Sequence, residues 1–452
     1  MQNHLTNRKK SVIIDKSTDT VGFAGMAQLV EHVIGNDEVI SSTLIASSRI
    51  RIAIAVRILC FIWHLCDTKP GNAVRGMKMG IWILAFAAMV LLAAAGFFYL
   101  ARLMRAVLPR ALRARLPRWA VWCICAGLIL LPSVVLALVL GTVNAAVVLL
   151  HLVFFCLVGD LIRLLVKKCG KLAIRRAFSG LFSLAVTVVY LAFGWANAHN
   201  VRRVVYTVET LKTTGNFRIA MFADSHLGTT FGGSELAGYL SRIQAENPDV
   251  LLICGDFVDE STTKEDMVAA CRALGEVRFP YGTYFVFGNH DKGLYGTSRG
   301  FGADELVAEL EKNGVVVLED EVVFVGTICL VGRQDASEES DFGGSRATAA
   351  DLLSGVGDWN FTVVMDHQPR DYANEAAAGA DLVLSGHTHG GQVIPLVQLM
   401  SLGVGGNDRV YGREARGNST FLVTSGISDW AFRFKTGCWS EFVLVDINGL
   451  SE

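Results

Sequence analysis

Five of the ten histidines lie beyond residue 200: His226, His290, His367, His387 and His389. Each follows a short apolar run and stands beside Asp, Asn or Gly. The segments are Ala223-Asp224-Ser225-His226, Gly255-Asp256-Phe257-Val258-Asp259, Gly288-Asn289-His290-Asp291, Asp366-His367-Gln368-Pro369 and Ser385-Gly386-His387-Thr388-His389-Gly390-Gly391. Imidazoles and carboxylates bind Zn, Fe and Mn well. A carboxylate such as Asp256 can bridge two cations and offset their repulsion. Asn289 adds a neutral oxygen donor, and adjacent glycines let the backbone turn sharply. Two cations about 3.5–4 Å apart can clamp a phosphoryl oxygen between them. Taken singly, each motif has a plainer reading. GDFVD could be a capped turn, GNHD a hairpin turn, and a lone His367 a structural histidine. Five such motifs in order, each at the end of an apolar run, point to a dinuclear metal centre.

Those groups are far apart in the chain, so regular elements must gather them. Short apolar runs read as strands: Arg218–Ala223, Val250–Cys254, Thr283–Phe287, Val315–Leu318, Val322–Val325, Ile328–Val331, Phe361–Met365, Leu382–Leu384, Thr420–Thr424 and Glu441–Asp446. Helical patterns fall between them at Gly233–Glu246, Lys264–Leu274 and Ala303–Asn313. Alternation of this kind predicts a layered α/β domain, with ligands converging at one rim where strands end.

The first part of the chain has another texture. Of the 452 residues, 52% are hydrophobic and 18% charged; mean hydropathy is +0.41. Soluble chains carry about 25% charged residues. The net charge of −1 hides a split: residues 1–199 hold 22 Lys/Arg against 7 Asp/Glu, and residues 200–452 hold 19 against 35. A basic, apolar half joined to an acidic half suggests a membrane anchor with a water-exposed domain. The acidic half disfavours nucleic acid as a partner. Four runs are long enough to span a bilayer: about Gly80–Ala101, Trp119–Leu140, Val143–Val166 and Phe178–Ala198, with a tight hairpin near Gly141–Asn144. Arginines fill the link between the first and second runs, and Lys167, Lys168, Lys171, Arg175 and Arg176 the link between the third and fourth. Positive loops stay in the cytoplasm, so the domain after Ala198 is expected outside it. Asp160 and Arg163 can neutralise each other within the third run, and His151 reads as a packing or hydrogen-bonding residue. The ten cysteines form no CxxC pair and read as small apolar residues.

The expected division is 1–76 as a tail, 77–199 as a four-helix transmembrane region and 200–452 as the catalytic domain. Met26–Ile50 looks like translation through a transfer-RNA gene, and Met77 or Met79 stands directly before the first run, so the true start is expected there. No cleavable signal peptide is evident.

Together, DSH, GDFVD, GNHD, DHQP and GHTHGG resemble the calcineurin-like metallophosphoesterase superfamily over about Arg218–Ile447. GHTHGGQ and SGISDWAFRFKTG resemble its bacterial membrane-associated branch. The resemblance implies a β-sandwich flanked by helices, and two divalent ions (Mn, Fe or Zn). One would be held by Asp224, His226, Asp256 and His389, the other by Asp256, Asn289, His367 and His387. It implies that His290 acts as general acid or as a donor to the phosphoryl group, and that Asp259 orients and charge-supports His290. Ser225 departs from the larger apolar residue many relatives carry, at a position that is not a ligand.

The implied reaction is hydrolysis of a phosphoester or pyrophosphate bond, phosphodiesters included. A domain tethered close to the bilayer can reach amphiphilic, lipid-linked phosphates. Some similar membrane-associated proteins act on lipid pyrophosphates of the UDP-diacylglucosamine type, which lie at the inner leaflet, against the orientation inferred above. Trp430, Phe432, Phe434 and Trp439 could form an apolar lip or simple core, with Arg433 and Lys435 meeting phosphate or solvent. Two other readings stay open at this level: a sensor or transport-like bundle with a phosphoesterase output, and a metal-retaining binding module with little turnover.

Overall fold

The computed structural model describes residues 73–170, 174–293 and 299–450. The expectation about the tail and start therefore lies, up to residue 72, outside the described residues, as does Lys171. The chain divides into two units at Leu92–Ala93. Of the first, only the beginning of helix α1 (Ala73–Val107) is described.

Three further long helices follow: α2 (Arg118–Leu140), α3 (Thr142–Gly170) and α4 (Arg176–His199). Each of the four contains a stretch long and apolar enough to cross a membrane. Their large apolar side chains point outward, as on Leu131, Leu138 and Val189. That inverts the pattern of a soluble bundle and suits a lipid surround. Polar groups within the bundle are satisfied locally. Asp160 accepts from Tyr99 Oη at 3.1 Å and from Arg163 Nε at 3.1 Å. His151 Nδ1 lies 2.8 Å from the Val147 carbonyl, and Ser183 donates to the Phe155 carbonyl at 3.0 Å. Cys125 and Cys156 are buried as expected, whereas Cys123, on the same apolar helix as Cys125, is exposed.

Two residues after α4, strand β1 (Arg202–Glu209) opens a two-sheet sandwich. The first sheet runs β1-β12-β2-β3-β4-β5, with β2 (Asn216–Phe222), β3 (Val250–Cys254), β4 (Thr283–Val286), β5 (Val315–Val317) and β12 (Glu441–Asn448). The second runs β10-β11-β9-β8-β7-β6, with β6 (Glu321–Val325), β7 (Ile328–Gly332), β8 (Phe361–Met365), β9 (Leu382–Ser385), β10 (Gly412–Arg416) and β11 (Ser419–Val423).

Strand alternation builds the layers. Ile219, Met221, Leu252, Val363 and Leu384 enter the core between the sheets. Their neighbours Ala220, Phe222, Leu251 and Ile253 face the other way, under helices α5 (Gly233–Gln244), α6 (Lys264–Glu276) and α7 (Ala303–Lys312). Residues two apart share a face of a strand, so both faces of β2 and β3 are dry. The strands β2, β3, β4 and β5 run parallel, as do β7, β8, β9 and β11. Parallel strands deliver their following loops to one rim.

The sequence pattern located ten of the twelve strands. It missed β1 and β10, both edge strands with polar sequences, RRVVYTVE and GREAR. An edge strand owes its place to one hydrogen-bonded neighbour rather than to burial, so its apolar signal is weak.

Candidate metal centre

All seven expected ligand residues stand in loops after β2, β3, β4, β8 and β9. Asp224, His226 and His389 bring potential ligand atoms within 4.8 Å of one another, and so do Asp256, His367 and His387. His226 Nε2 is 3.1 Å from His389 Nε2 and 3.6 Å from Asp256 Oδ2. His367 Nε2 lies 3.0 Å from Asp256 Oδ2, so Asp256 sits between the two groups. Asn289 Oδ1 is 2.8 Å from His387 Nδ1.

The backbone around these residues is strained. Of nine non-glycine residues with left-handed φ among the described residues, five are Asp224, His226, Asp256, His387 and His389. Such conformations cost of order 1–3 kcal/mol each and persist where the surroundings over-determine them. Glycine supplies the remaining clearance. A Cβ on Gly255 (φ +80°) would stand 2.6 Å from the Gly288 nitrogen and 2.7 Å from His367 Nδ1; one on Gly386 would stand 2.6 Å from Asp224 Oδ2.

A buried carboxylate organises the turn. Asp291 accepts from the backbone N–H of Asp256 (2.8 Å), Val258 (3.0 Å) and Gly288 (2.7 Å), fixing the two central loops together. Burial pushes its pKa up to about 6, with the nearby Asp256 charge adding to the rise. Ser225, the departure from the family pattern, donates from Oγ to the Phe257 carbonyl at 2.9 Å.

The donor set fits divalent cations. Nitrogens of three buried imidazoles, His226 Nδ1, His367 Nε2 and His389 Nδ1, have no aligned hydrogen-bond partner. His367 Nδ1 lies 2.7 Å from the Cys254 carbonyl and must donate to it, which leaves Nε2 facing the centre. Burial and neighbouring cationic groups hold His387 and His389 well below the usual imidazole range, so they present neutral lone pairs. Burial opposes ionisation of Asp256, but His367, His290 and His226 hold it well below the usual carboxylate range. Burial disfavours a proton on His367 as well, yet Asp256 and Asp224 hold its pKa well above the ordinary value. A proton there balances the carboxylates, and cation binding would release it.

The geometry corrects one expectation. Asp259 does not hydrogen-bond His290. Its Oδ2 lies 3.3 Å from His226 Nδ1, and its Oδ1 accepts from Ser261 N and Oγ. The carboxylate on His290 Nδ1 is the next residue, Glu260, at 3.0 Å. The turn after β3 sends side chains 259 and 260 to different imidazoles. Against burial, Asp256, Glu260 and Asp259 together raise His290 to about 9, so Asp259 still supports its charge from a distance.

The rim was only partly legible. Trp430 is exposed, with its ring centroid 5.4 Å from that of His290, whereas Phe434 is buried. Lys435 meets neither phosphate nor solvent. It is fully buried, donating to the Ser425 and Ser428 carbonyls at 2.6 and 2.7 Å, beside Asp429. Arg370, which sequence reasoning passed over in DHQPR, has Nη2 3.4 Å from His387 Nε2. Asn144, from the α2–α3 hairpin, accepts the Arg433 backbone N–H at 2.8 Å. A cavity of about 320 Å³ lies there, lined by Asn144, Thr229, Asp259, Glu260, Trp430 and Arg433 among others. That link spans 289 residues and has no sequence signal.

Residues 217–391 match the family model for calcineurin-like phosphoesterases. An uncharacterized metallophosphoesterase of Campylobacter jejuni is 28% identical over 66% of this chain and 78% of its own length. Proteins described as transmembrane with a metallophosphoesterase domain are 32% identical in Danio rerio and 30% in Bos taurus. The matches cover 49% and 51% of this chain but only about half of those relatives, 52% and 53%. Residues 217–391, which follow four apolar helices and carry this whole His/Asp set at the strand ends of a two-sheet domain, are thus similar to calcineurin-like phosphoesterases.

Proposed function

We propose that this protein is a membrane-anchored phosphohydrolase that cleaves phosphoester or pyrophosphate bonds of amphiphilic, lipid-linked substrates, with its catalytic domain outside the cytoplasm. The observation that carries the reading is the convergence of two His/Asp groups on a shared Asp256, in strained backbone, with Nε2 of His226, His367 and His389 all turned towards the carboxylates between them. Asp224, His226, Asp256 and His389 would hold one ion; Asp256, Asn289, His367 and His387 the other. When bound, such ions act as Lewis acids and lower the pKa of water.

The chain's own groups do the rest. Glu260 accepts from His290 Nδ1 and so presents Nε2–H as the donor to the departing oxygen. Asp259 fixes His226. Arg370, at the edge of the His387 side, is placed to meet a phosphate oxygen. The cavity under Trp430 and Arg433 flanks His290 and suits the leaving group. Its wall includes Asn144 of the membrane hairpin, which supports an amphiphilic substrate rather than a freely diffusing one.

The orientation is supported by the arginine-rich link before α2 and the lysine/arginine link before α4. Both lie at the end of the bundle opposite the turn that contacts the domain. The full-length protein in detergent, given Mn²⁺, is expected to hydrolyse bis-p-nitrophenyl phosphate, and Asp256→Asn to abolish this. Intact metal binding without hydrolysis of any phosphoester would leave only the binding-module reading. Labelling a cysteine placed at Glu235 in intact cells tests the side.

A further inference from the structure

The segment that links the metal centre to the second sheet's edge has an unusual surface. From Val393 to Asn407 it carries no Asp, Glu, Lys or Arg. Ile394, Leu396, Leu399, Leu402 and Val404 are all exposed, Leu402 to 82%. Elsewhere in the sandwich domain, exposed large apolar residues are scattered singly, as at Leu211, Phe324 and Trp359. A contiguous apolar patch of this kind marks an interaction site.

Its neighbours say what covers it. The Ile394 backbone N–H donates to Thr436 Oγ1 at 3.1 Å. Lys435 N donates to the Gly194 carbonyl of α4 at 2.9 Å, and Thr436 Cγ2 lies 2.7 Å from where a Gly194 Cβ would stand. Helix α4 has 24 residues, so it is about 36 Å long against a hydrocarbon core of about 30 Å. With the helix centred on such a core, Gly194, roughly 7.5 Å before the helix end, falls within the hydrocarbon thickness. Ile394 therefore stands one side chain, that of Thr436, away from the turn of α4 that carries Gly194.

We infer that the segment Ile394–Val404 dips into the bilayer as an interfacial anchor, and that the mouth of the metal centre thereby opens onto the lipid surface. The partner is the acyl region of a phospholipid bilayer. Both ends of the segment are tied to the site: it leaves the turn bearing His387 and His389, and at its far end Asn407 Oδ1 accepts from Arg370 Nε at 3.1 Å while Asp408 N donates to the Pro369 carbonyl at 2.7 Å. An amphiphile can then pass from the bilayer to the ions without its tails entering water. This consequence rests on the phosphohydrolase reading; the immersed surface itself does not.

The test is photolabelling of the full chain, one copy per phosphatidylcholine nanodisc, with a phospholipid carrying a diazirine on its acyl chain. Adducts are expected on the peptide containing residues 394–404 as well as on the four helices, and none on the peptide containing Leu211. Adducts on the helices alone overturn the inference. In the double variant Leu399→Glu, Leu402→Glu, the KM for a phosphoester embedded in the bilayer is expected to rise roughly 10-fold or more, since each buried Leu side chain contributes strongly. Hydrolysis of bis-p-nitrophenyl phosphate should stay within about 2-fold. Equal behaviour of variant and parent on both esters overturns the inference. Lipid adducts on 394–404 with no cleavage of either ester uphold the immersed surface and sink the catalytic reading instead.

Discussion

The helical bundle and the strand-end rim both bury polar groups, but they treat them differently. In the bundle each such group has a near partner: Asp160 has Tyr99 and Arg163, His151 has the Val147 carbonyl, and Thr187 has the Ser183 carbonyl. At the rim, imidazoles and carboxylates crowd one another: His226 Nε2 lies 3.1 Å from His389 Nε2 and His367 Nε2 3.0 Å from Asp256 Oδ2, while Asp224, His226, Asp256, His387 and His389 adopt left-handed backbone. Hydrogen-bonded polar groups hold an anchor together. Ligand groups crowded together in strained loops are placed for something that binds between them.

The largest effect that would break this contrast is expected at Asp256. Replacing it with Asn should strip at least one ion from the purified protein, measured by elemental analysis. It should also cut turnover more than the 10–100-fold typical of outer-shell changes. Retention of both ions would show that Asp256 is structural.

A sharper division separates neighbours. Glu260→Gln should lower turnover by roughly 10–100-fold with ion content intact, because it removes the carboxylate that meets His290 Nδ1. Asp259→Asn should loosen ion binding through His226 instead. If Asp259→Asn alone affects turnover and Glu260→Gln does nothing, the reassignment of the His290 partner is wrong.

In the bundle, Asp160→Asn is expected to cost about 0.6–1 kcal/mol of stability in detergent, and to leave metal content and hydrolysis unchanged. A loss of hydrolysis would erase the contrast, since the bundle would then hold chemistry too.

The smallest effect concerns acid sensitivity on β10. Glu414 pairs with Arg416 and Arg409; although burial opposes it, these two cations hold its carboxyl below the usual range. A depressed carboxylate stabilises the fold fully above its unfolded pKa, about 4.3, and the contribution fades as pH falls below that. Parent and Glu414→Gln should therefore differ by less than about 1 kcal/mol at pH 7 and converge towards pH 3, measured by chemical denaturation. A gap that widens in acid would refute the sign.

Much of this was legible because strand ends have a sequence signature. An apolar run that stops at Asp-x-His or Gly-Asn-His marks both the strand and what its end carries, so seven proposed ligands and ten strands could be read directly. The four long apolar helices were equally plain. What escaped depended on long-range pairing or on single-residue geometry. Glu260 rather than Asp259 meets His290 because of how one turn twists. Arg370 reaches His387 only once β8 and β9 are adjacent. Asn144 touches Arg433 only because a hairpin tip and a C-terminal loop meet at one level.

The join between α4 and β1 is two residues long, Asn200 and Val201, and Val201 is packed into the core beneath the helices. A catalytic body fastened that closely cannot swing towards or away from its support. It works like a gauge set at one height above the ends of the helices.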